Sequence, residues 1–326
     1  MSVVLPPGSE YMYSGGGYTR LQLITEEVTG EPFTAFMQRE ILALLGMDNS
    51  SFEWNPGLQP MTAIPYGVGG RPLPNYRHIA RAASGLRTTV ISLARFVAAG
   101  TTGPDGEPPG RGVLVPATLD QMFSPAAATD GRQGLGYRTE RMPCGTHMVL
   151  HGGASLGWKA QIAALPERGA GIVILTNRDL GDDLTADVLC LWSRWATGEV
   201  PLICQVVPKE RNYALAVAGL LAVGLVACAG RVGAEIRSGR RQLDCTWRQG
   251  LFCSLAVLDT ALWRLLWYTD TVSVLLEVWR DSAPRLLMPA TFDWVTWAAT
   301  LWALVVAAAC LFPREIQPDA ARAPAN

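Results

Sequence analysis

Two long apolar runs in the last third of the chain constrain its fold more than any other feature. Residues 213–230 form an uncharged run of 18 residues, and residues 294–312 form another of 19. A helix rises about 1.5 Å per residue, so each run is close to the length that crosses a hydrocarbon core of about 30 Å. We therefore expect an all-α transmembrane region over residues 213–312.

A third stretch, residues 251–268, is apolar but contains Asp259 and Arg264. Each charge costs about 2.5–3.5 kcal/mol at the centre of an inserted helix. Arg264 lies near one end and can extend to the interface, whereas Asp259 is central and needs a partner. The region is therefore predicted to hold two or three transmembrane helices. A protein whose spans carry the function, with these two residues as the polar pair, stays open as one alternative.

Arginine placement predicts the orientation of these helices. Five arginines follow the first run, whereas two lie between the second and third segments (Arg231, Arg237, Arg240, Arg241 and Arg248, against Arg280 and Arg285). Because loops rich in Lys and Arg stay in the cytoplasm, residues 1–208 are expected on the extracytoplasmic side of the cell membrane. Residues 313–326 then form a cytoplasmic tail, and the lipid bilayer is a predicted partner.

The first 200 residues have an ordinary globular composition and an α+β pattern. Helical spacing of apolar residues is followed by strand-like runs and then by a closing helix, which indicates a helical subdomain beside an antiparallel sheet. A linker is expected at 201–212. The predicted helices are 18–30, 33–45, 93–99, 116–122 and 184–195, with a loop at 55–76, and the predicted strands are 148–151, 159–165 and 171–176.

Charge and cysteine content exclude several classes of partner. The net charge is −1, so nothing indicates a nucleic acid as partner. The seven cysteines include no Cys-x-x-Cys pair, which excludes a zinc site of the usual spacing. We predict no metal and no cofactor, and we interpret the cysteines as small apolar residues without a disulfide framework.

Two segments carry candidate chemistry. Tyr13 and Gly15 belong to a glycine-rich stretch just before the first helix, whose N-terminus favours a phenolate. His151, Gly152 and Gly153 lie at the expected end of a strand, where the imidazole can donate to a substrate carboxylate or transfer a proton. Taken alone, each segment also fits a structural loop or a structural histidine.

A third motif is a false lead. Gly153, Ser155 and Gly157 match Gly-x-Ser-x-Gly, but that nucleophile elbow joins a strand to a helix and needs a later histidine. Here a strand follows, and the chain has no histidine after His151. We interpret His78 and His147 as packing residues.

Taken together, several segments resemble the serine β-lactamase and penicillin-binding-protein-like hydrolases, in the branch of class C β-lactamases, D,D-carboxypeptidases and esterases. The likeness covers roughly residues 5–198. Tyr13-Ser14-Gly15 is similar to the family's Tyr-x-Asn motif, with Gly15 in place of asparagine, and His151-Gly152-Gly153 stands at the Lys-Thr-Gly or His-x-Gly motif. Further similar segments are Val28-Thr29-Gly30-Glu31-Pro32-Phe33, Leu44-Leu45-Gly46-Met47, Ala82-Ala83-Ser84-Gly85-Leu86-Arg87-Thr88-Thr89, Leu93-Ala94-Arg95-Phe96, Leu165-Pro166-Glu167-Arg168-Gly169 and Leu175-Thr176-Asn177.

The resemblance implies acyl transfer on a small-molecule or peptide-like substrate. A serine attacks an amide or ester carbonyl, and water releases the acyl-enzyme. Tyr13 would then be the general base or proton relay, and His151 would take part beside the substrate. Gly15, Gly152 and Gly153 would line the binding cleft, where backbone groups contribute to the oxyanion hole.

One departure from the family affects catalysis directly. The family nucleophile lies in Ser-x-x-Lys, but the two lysines of this chain follow Leu156 and Val206 at that spacing. The first ten residues also lack the pattern of a signal peptide. We therefore expect a β-lactamase-like domain that is incomplete at its N-terminus and inactive as given. A non-catalytic binder of peptide-like or cell-wall-like ligands stays open beside the hydrolase.

Overall fold

The computed structural model describes residues 6, 8–54, 56–67, 70–127, 129, 131–241 and 292–311, together with positions 251, 254, 255, 258 and 262. The described residues fall into two compact units, one ending at Val206 and one starting at Val207. The first unit contains helices and one antiparallel sheet. The second contains long apolar helices.

The helices of the first unit follow the apolar spacing of the sequence. Helix α1 is Gly15–Thr29, and it ends at Gly30, whose φ of 71° is the left-handed conformation that glycine adopts without strain. Helix α4 (Val90–Ala99) begins after Thr89, whose side chain accepts a 3.2 Å hydrogen bond from the Ser92 amide. The remaining helices of this unit are α2 (Phe33–Met37), α3 (Arg81–Ser84), α5 (Pro116–Phe123) and α6 (Asp182–Thr197).

The predicted helix over 33–45 is not one regular α-helix. After α2, Gln38–Leu42 forms a π-helical turn. The amides of Ala43 and Met47 reach carbonyls five residues back, at Gln38 and Leu42, with distances of 3.0 and 2.7 Å. Apolar spacing cannot reveal a π-helical turn. The turn changes which backbone groups are hydrogen-bonded, whereas the apolar side chains stay on one face of the helix. A 3₁₀ helix, Pro56–Met61, likewise lies within the predicted loop at 55–76.

One four-stranded antiparallel sheet organises the domain, in the order β1-β2-β3-β4. The strands are β1 (Arg138–Arg141), β2 (His147–Ser155), β3 (Trp158–Leu165) and β4 (Ala170–Thr176). The three strands predicted from the sequence are present, whereas β1 was not predicted. Strand β2 also continues four residues beyond His151. The expectation that His151 ends a strand is therefore wrong, because the apolar signal stops before the backbone ladder does.

The hairpin between β2 and β3 holds the false Gly-x-Ser-x-Gly motif. Gly157 has a φ of 74°, and a Cβ there would lie 2.5 Å from Pro65 Cβ. Its amide donates to the buried Asp179 carboxylate at 2.5 Å. A strand rather than a helix follows Ser155, so the motif forms a hairpin turn and not a nucleophile elbow.

Two apolar cores cover the two faces of the sheet. On one face, Met148 and Leu150 pack with Leu189 of α6. On the other face, Val149 packs with Val97 of α4 and Phe123 of α5. Successive residues of a strand point to opposite faces, so this alternation places the sheet between two helical layers. The layout is the expected α+β architecture.

A disulfide bond corrects the interpretation of two cysteines. Cys190 of α6 bonds to Cys204, with a Cα–Cα distance of 5.7 Å. The two residues are 14 positions apart, and the chain turns back between α6 and the next helix. The prediction that all cysteines are isolated apolar residues is therefore wrong for this pair, because the spacing in sequence did not reveal the reversal.

Helix α7 (Ile203–Arg237) begins at the end of the first unit and continues into the second unit, which also contains α8 (Phe292–Leu311). Helix α7 runs through most of the predicted linker. The Trp302 indole of α8 donates to the Leu221 carbonyl of α7 at 2.7 Å, and its ring lies beside Gly224. Asp259 and Arg264 lie outside the described residues.

Length and hydropathy identify one candidate membrane helix among the described residues. It covers Asn212–Arg237, with a mean hydropathy of 2.1 over its most apolar window. The predicted second run is helical in α8, in which Trp297–Ala307 is a shorter apolar stretch. These criteria alone are weak evidence for a span.

Replacing Gly157 tests the hairpin contact. Gly157→Ala places a side chain in the left-handed region, which costs about 1–2 kcal/mol. Overpacking against Pro65 costs about another 1–3 kcal/mol. Gly145→Ala is the matched control, because Gly145 has a φ of 84° and no atom within 4 Å of its Cβ position. Urea unfolding of the two variants should show the larger loss for Gly157→Ala, and equal losses would contradict the contact.

Candidate active site

Strand β2 has one open edge at the residues that the sequence singled out. Strand β1 pairs only with positions 147–150 of β2. Beyond them, positions 151–155 pair with β3 on one side, and no described strand pairs with them on the other. Gly152, Gly153 and Ala154 are exposed there. A peptide-like ligand can therefore reach the backbone groups of this edge, as in strand addition.

His151 stands where the open edge begins. Its Cα pairs with Ile162 of β3, and its carbonyl accepts a 3.2 Å hydrogen bond from Gln161 Nε2. Burial lowers the pKa of the His151 imidazole below its usual value, and a hydrogen bond with the Gly152 backbone opposes that shift. The ring is therefore neutral at pH 7 and can accept a proton or donate one hydrogen bond.

The two glycines leave the edge without side chains. A Cβ on Gly152 would meet Gln161 Oε1 at 3.2 Å, and a Cβ on Gly153 would meet Ala160 Cβ at 3.5 Å. Neither glycine has a positive φ. Their role is therefore access to the backbone rather than an unusual turn.

Tyr13 lies at the mouth of α1. Its side chain is 70% exposed, and Gly15 is the first residue of the helix. Burial raises the pKa of Tyr18, and the neighbouring Tyr13 and Tyr11 add to the rise. Tyr13 is thus the most exposed of these three tyrosines. No hydrogen bond joins Tyr13 to His151 among the described residues.

The cluster connects α1 with the residues before β1. The Tyr18 hydroxyl lies 3.2 Å from the Cβ position of Gly136. Burial, with a smaller contribution from Tyr18, raises the pKa of Tyr137 to about 12. Tyr137 packs edge-on against Phe123, with ring centroids 5.0 Å apart. The mouth of α1 is therefore anchored beside the layer that covers one face of the sheet.

The segment over residues 55–76, for which the sequence predicted a loop without a role in the site, lies near the end of the open edge. Its Tyr66 amide donates to the Asn177 carbonyl at 2.9 Å, and the Asp179 amide donates to the Tyr66 carbonyl at 3.0 Å. Further along, His78 Nε2 lies 3.3 Å from Ser155 Oγ. Sequence reasoning assigned His78 to packing, and nothing in the sequence could have placed it beside β2.

Two other features, a buried lysine and an apolar cavity, are structural. Lys159 is buried, and its ammonium pairs with Asp182 at 2.6 Å, so it is not available as a free amine. An apolar cavity of about 80 Å³ lies between the π-helical turn, α4, α5 and the sheet. Its lining includes Leu45, Phe96 and Ile162, and it carries no titratable group except Tyr137. Within the described chain, no group of three metal-binding side chains gathers to hold an ion.

The first unit therefore contains an open strand edge with a neutral imidazole, and it also contains a tyrosine at the mouth of α1 that no described contact joins to this edge. The model of the family described as "Beta-lactamase" matches residues 1–189, which is more than half of the chain. The chain belongs to the β-lactamase family.

Several solved structures are similar to this chain, each over part of its length. The β-lactamase/D-alanine carboxypeptidase from Pseudomonas syringae is 19% identical, with 55% of this chain and 57% of that chain covered and a TM-score of 0.47. The D-alanine carboxypeptidase from Burkholderia cenocepacia is 17% identical, with 61% and 59% covered and a TM-score of 0.46. SurE is 20% identical, with 60% and 48% covered and a TM-score of 0.50. The chain spans about half the length of these structures.

The lowered histidine pKa predicts a pH dependence of stability. Above about pH 6.5, His151 is neutral in both the folded and the unfolded chain. As the pH falls below that value, the unfolded chain binds the proton first, so the free energy of unfolding decreases. His151→Gln should reduce this decrease between pH 7.5 and 5.5 in urea unfolding. His147, whose pKa burial also lowers, accounts for part of what remains. If the decrease is unchanged in His151→Gln, the partly buried imidazole does not have a lowered pKa.

Proposed function

We propose that this chain is the substrate-edge portion of a membrane-anchored serine hydrolase that cleaves amide or ester bonds through an acyl-enzyme. The observation that carries the proposal is the open half of β2, because acyl-transfer catalysis needs backbone donors beside the scissile carbonyl. Family membership supports the reaction class. A small molecule or peptide-like compound is the proposed substrate.

Tyr13 and His151 have different proposed roles. Tyr13 is exposed just before the first residue of α1, and by resemblance to the tyrosine motif of the family it is proposed as the general base or proton relay. His151 is proposed to hold the substrate and assist proton transfer at the edge. Gly15 lines the tyrosine side of the cleft, whereas Gly152 and Gly153 line the strand side.

This mechanism needs a nucleophilic serine in a Ser-x-x-Lys motif, and the sequence contains no such motif. Lys159 cannot replace the motif lysine, because it is buried in an ion pair with Asp182. We propose that a segment with Ser-x-x-Lys completes the site. The outer side of β4 supports this idea, since no described strand pairs with it and added strands could extend the sheet there.

Membrane anchoring through α7 is the second part of the proposal. Asn212–Arg237 has the length and hydropathy of a span. The disulfide between Cys190 and Cys204 supports an extracytoplasmic domain, because such bonds persist mainly in oxidising compartments. A domain in an oxidising compartment is what the arginine placement also predicts.

The chain as given should not turn over substrate. We expect no acylation by a fluorescent penicillin and no hydrolysis of a p-nitrophenyl ester, because the Ser-x-x-Lys nucleophile is absent. Gel fluorescence and absorbance measure the two outcomes. A covalent adduct on Ser14 or Ser155 would contradict the proposal.

Adding a family-typical segment with Ser-x-x-Lys should restore esterase-type turnover. In that protein, Tyr13→Phe should lower turnover about 10²–10⁴-fold, which is the usual effect of removing a positioned acid or base. Tyr11→Phe is the matched control. Tyr11 is also exposed, and this variant removes the same kind of hydroxyl two residues away from Tyr13. His151→Ala should act mainly through KM. If acylation occurs and Tyr13→Phe turns over like Tyr11→Phe, then Tyr13 has no catalytic role.

Impermeant maleimide labelling of membrane-inserted chain tests the orientation. Single-cysteine variants that retain either Cys144 or Cys245 separate the two sides. Cys144 is exposed in the hydrolase domain and should label in intact cells. Cys245 follows the first apolar run and should label only after permeabilisation. The reverse pattern would show that the predicted orientation is inverted.

A further inference from the structure

Helix α6 carries three large apolar side chains on the side that faces away from the sheet. Leu184, Leu191 and Trp195 are 55%, 67% and 82% exposed. They are separated by seven and four positions, so they fall within about 40° of one another around the helix axis. The buried residues Leu189 and Ser193 lie on the other side, where the helix packs on the sheet. Helix α6 is therefore apolar on two opposite sides.

These three residues, called here the outer stripe, need a covering surface. A helix that is apolar on two opposite sides is normally covered on both, and a contiguous exposed apolar patch marks an interaction surface. A segment that extended the sheet beyond β4 would lie beside α6, in the same layer. Because the outer stripe faces out of that layer, such a segment would leave it exposed.

The chain that follows α6 leads directly to the candidate membrane helix. The disulfide bond holds Cys204 to Cys190 of α6, with a Cα–Cα distance of 5.7 Å. The candidate span begins at Asn212, eight positions after Cys204, and eight residues in any conformation reach at most about 29 Å. A bilayer that contains this span therefore lies within reach of α6.

The side chains of the outer stripe suit the boundary between lipid headgroups and acyl chains. Tryptophan is enriched at this depth, because its ring is largely apolar while its indole N–H stays near water. Trp195 is the most exposed of the three residues and the nearest in sequence to the span. One exposed acid and one exposed base, Asp187 and Arg194, belong to the same helix, so its charge does not require an anionic lipid.

We propose that the outer stripe binds the surface of the lipid bilayer, so that α6 lies in the headgroup region as an interfacial helix. The proposal builds on the anchoring through α7 and adds a second contact with lipid. It gives the hydrolase domain one fixed face toward the membrane. Helices α4 and α5 cover the opposite face of the sheet, so they remain turned toward water.

Fluorescence quenching by lipid tests this surface on the full chain, reconstituted in phosphatidylcholine vesicles. A variant with serine in place of the cysteines outside the disulfide bond receives one new cysteine, labelled with the fluorophore NBD. Trp195→Cys and Leu184→Cys place the label at the two ends of the outer stripe. Ile91→Cys is the matched control, because Ile91 is 71% exposed on α4, which covers the opposite face of the sheet. All three side chains are exposed, so the substitutions leave the core unchanged.

The labels should respond differently to phosphatidylcholine that carries a doxyl quencher close to its headgroup. Both stripe labels should be quenched and shifted to shorter emission wavelength, because they enter an apolar layer, whereas the Ile91 label should show neither change. The surface is overturned if either stripe label behaves like the Ile91 label. It is also overturned if the emission shifts without quenching, since a protein segment or a second copy of this chain would then cover the stripe.

A label on α7 separates this surface from the anchoring proposal. Val223 is 70% exposed near the middle of the candidate span, so a label at Val223→Cys should be quenched by a doxyl group deep in the acyl chains. Quenching at Val223 without quenching at the stripe would retain the span and contradict the surface. Quenching at the stripe without quenching at Val223 would retain the surface and contradict the span. Absence of quenching at both places would contradict both.

Discussion

The ladder between β2 and β3 is the interaction on which the rest of the domain depends. It pairs seven positions, from Val149 with Ala164 to Ser155 with Trp158. Alternate side chains of these strands supply both apolar cores, so a shift of one residue would exchange the two faces. The same ladder presents positions 151–155 at an open edge. The core and the candidate site therefore share one register.

Contacts distant in sequence secure this ladder at its turn. Asp179 accepts from the Gly157 amide while its own amide donates to Tyr66. The loop thus joins the hairpin to the residues after β4, and His78 then contacts Ser155. A rigid turn and a docked loop together define where the exposed edge ends.

The sequence revealed what depends on local periodicity. The spacing in α1 and the αL position of Gly30 were predictable, as were the three apolar strands. Strand β1 was not, because Arg138–Arg141 is short, charged and without an apolar pattern. The Cys190–Cys204 bond and the His78–Ser155 contact escaped prediction for another reason, since both depend on chain reversals that no motif encodes. His151 was predicted as a candidate site residue from its motif, but its position in the middle of β2 was visible only from the ladder.

The central claim is that the open half of β2 is the substrate edge, and hydrogen exchange tests it most directly. The protein to which a segment with Ser-x-x-Lys has been added would be transferred into deuterated water, with and without a dipeptide that ends in D-alanine. Bound ligand should slow exchange in the peptide that covers positions 151–155, because strand addition protects edge amides. Exchange over Ala170–Thr176, on the far side of the sheet, should stay the same. Ligand binding without protection at 151–155 would contradict the account.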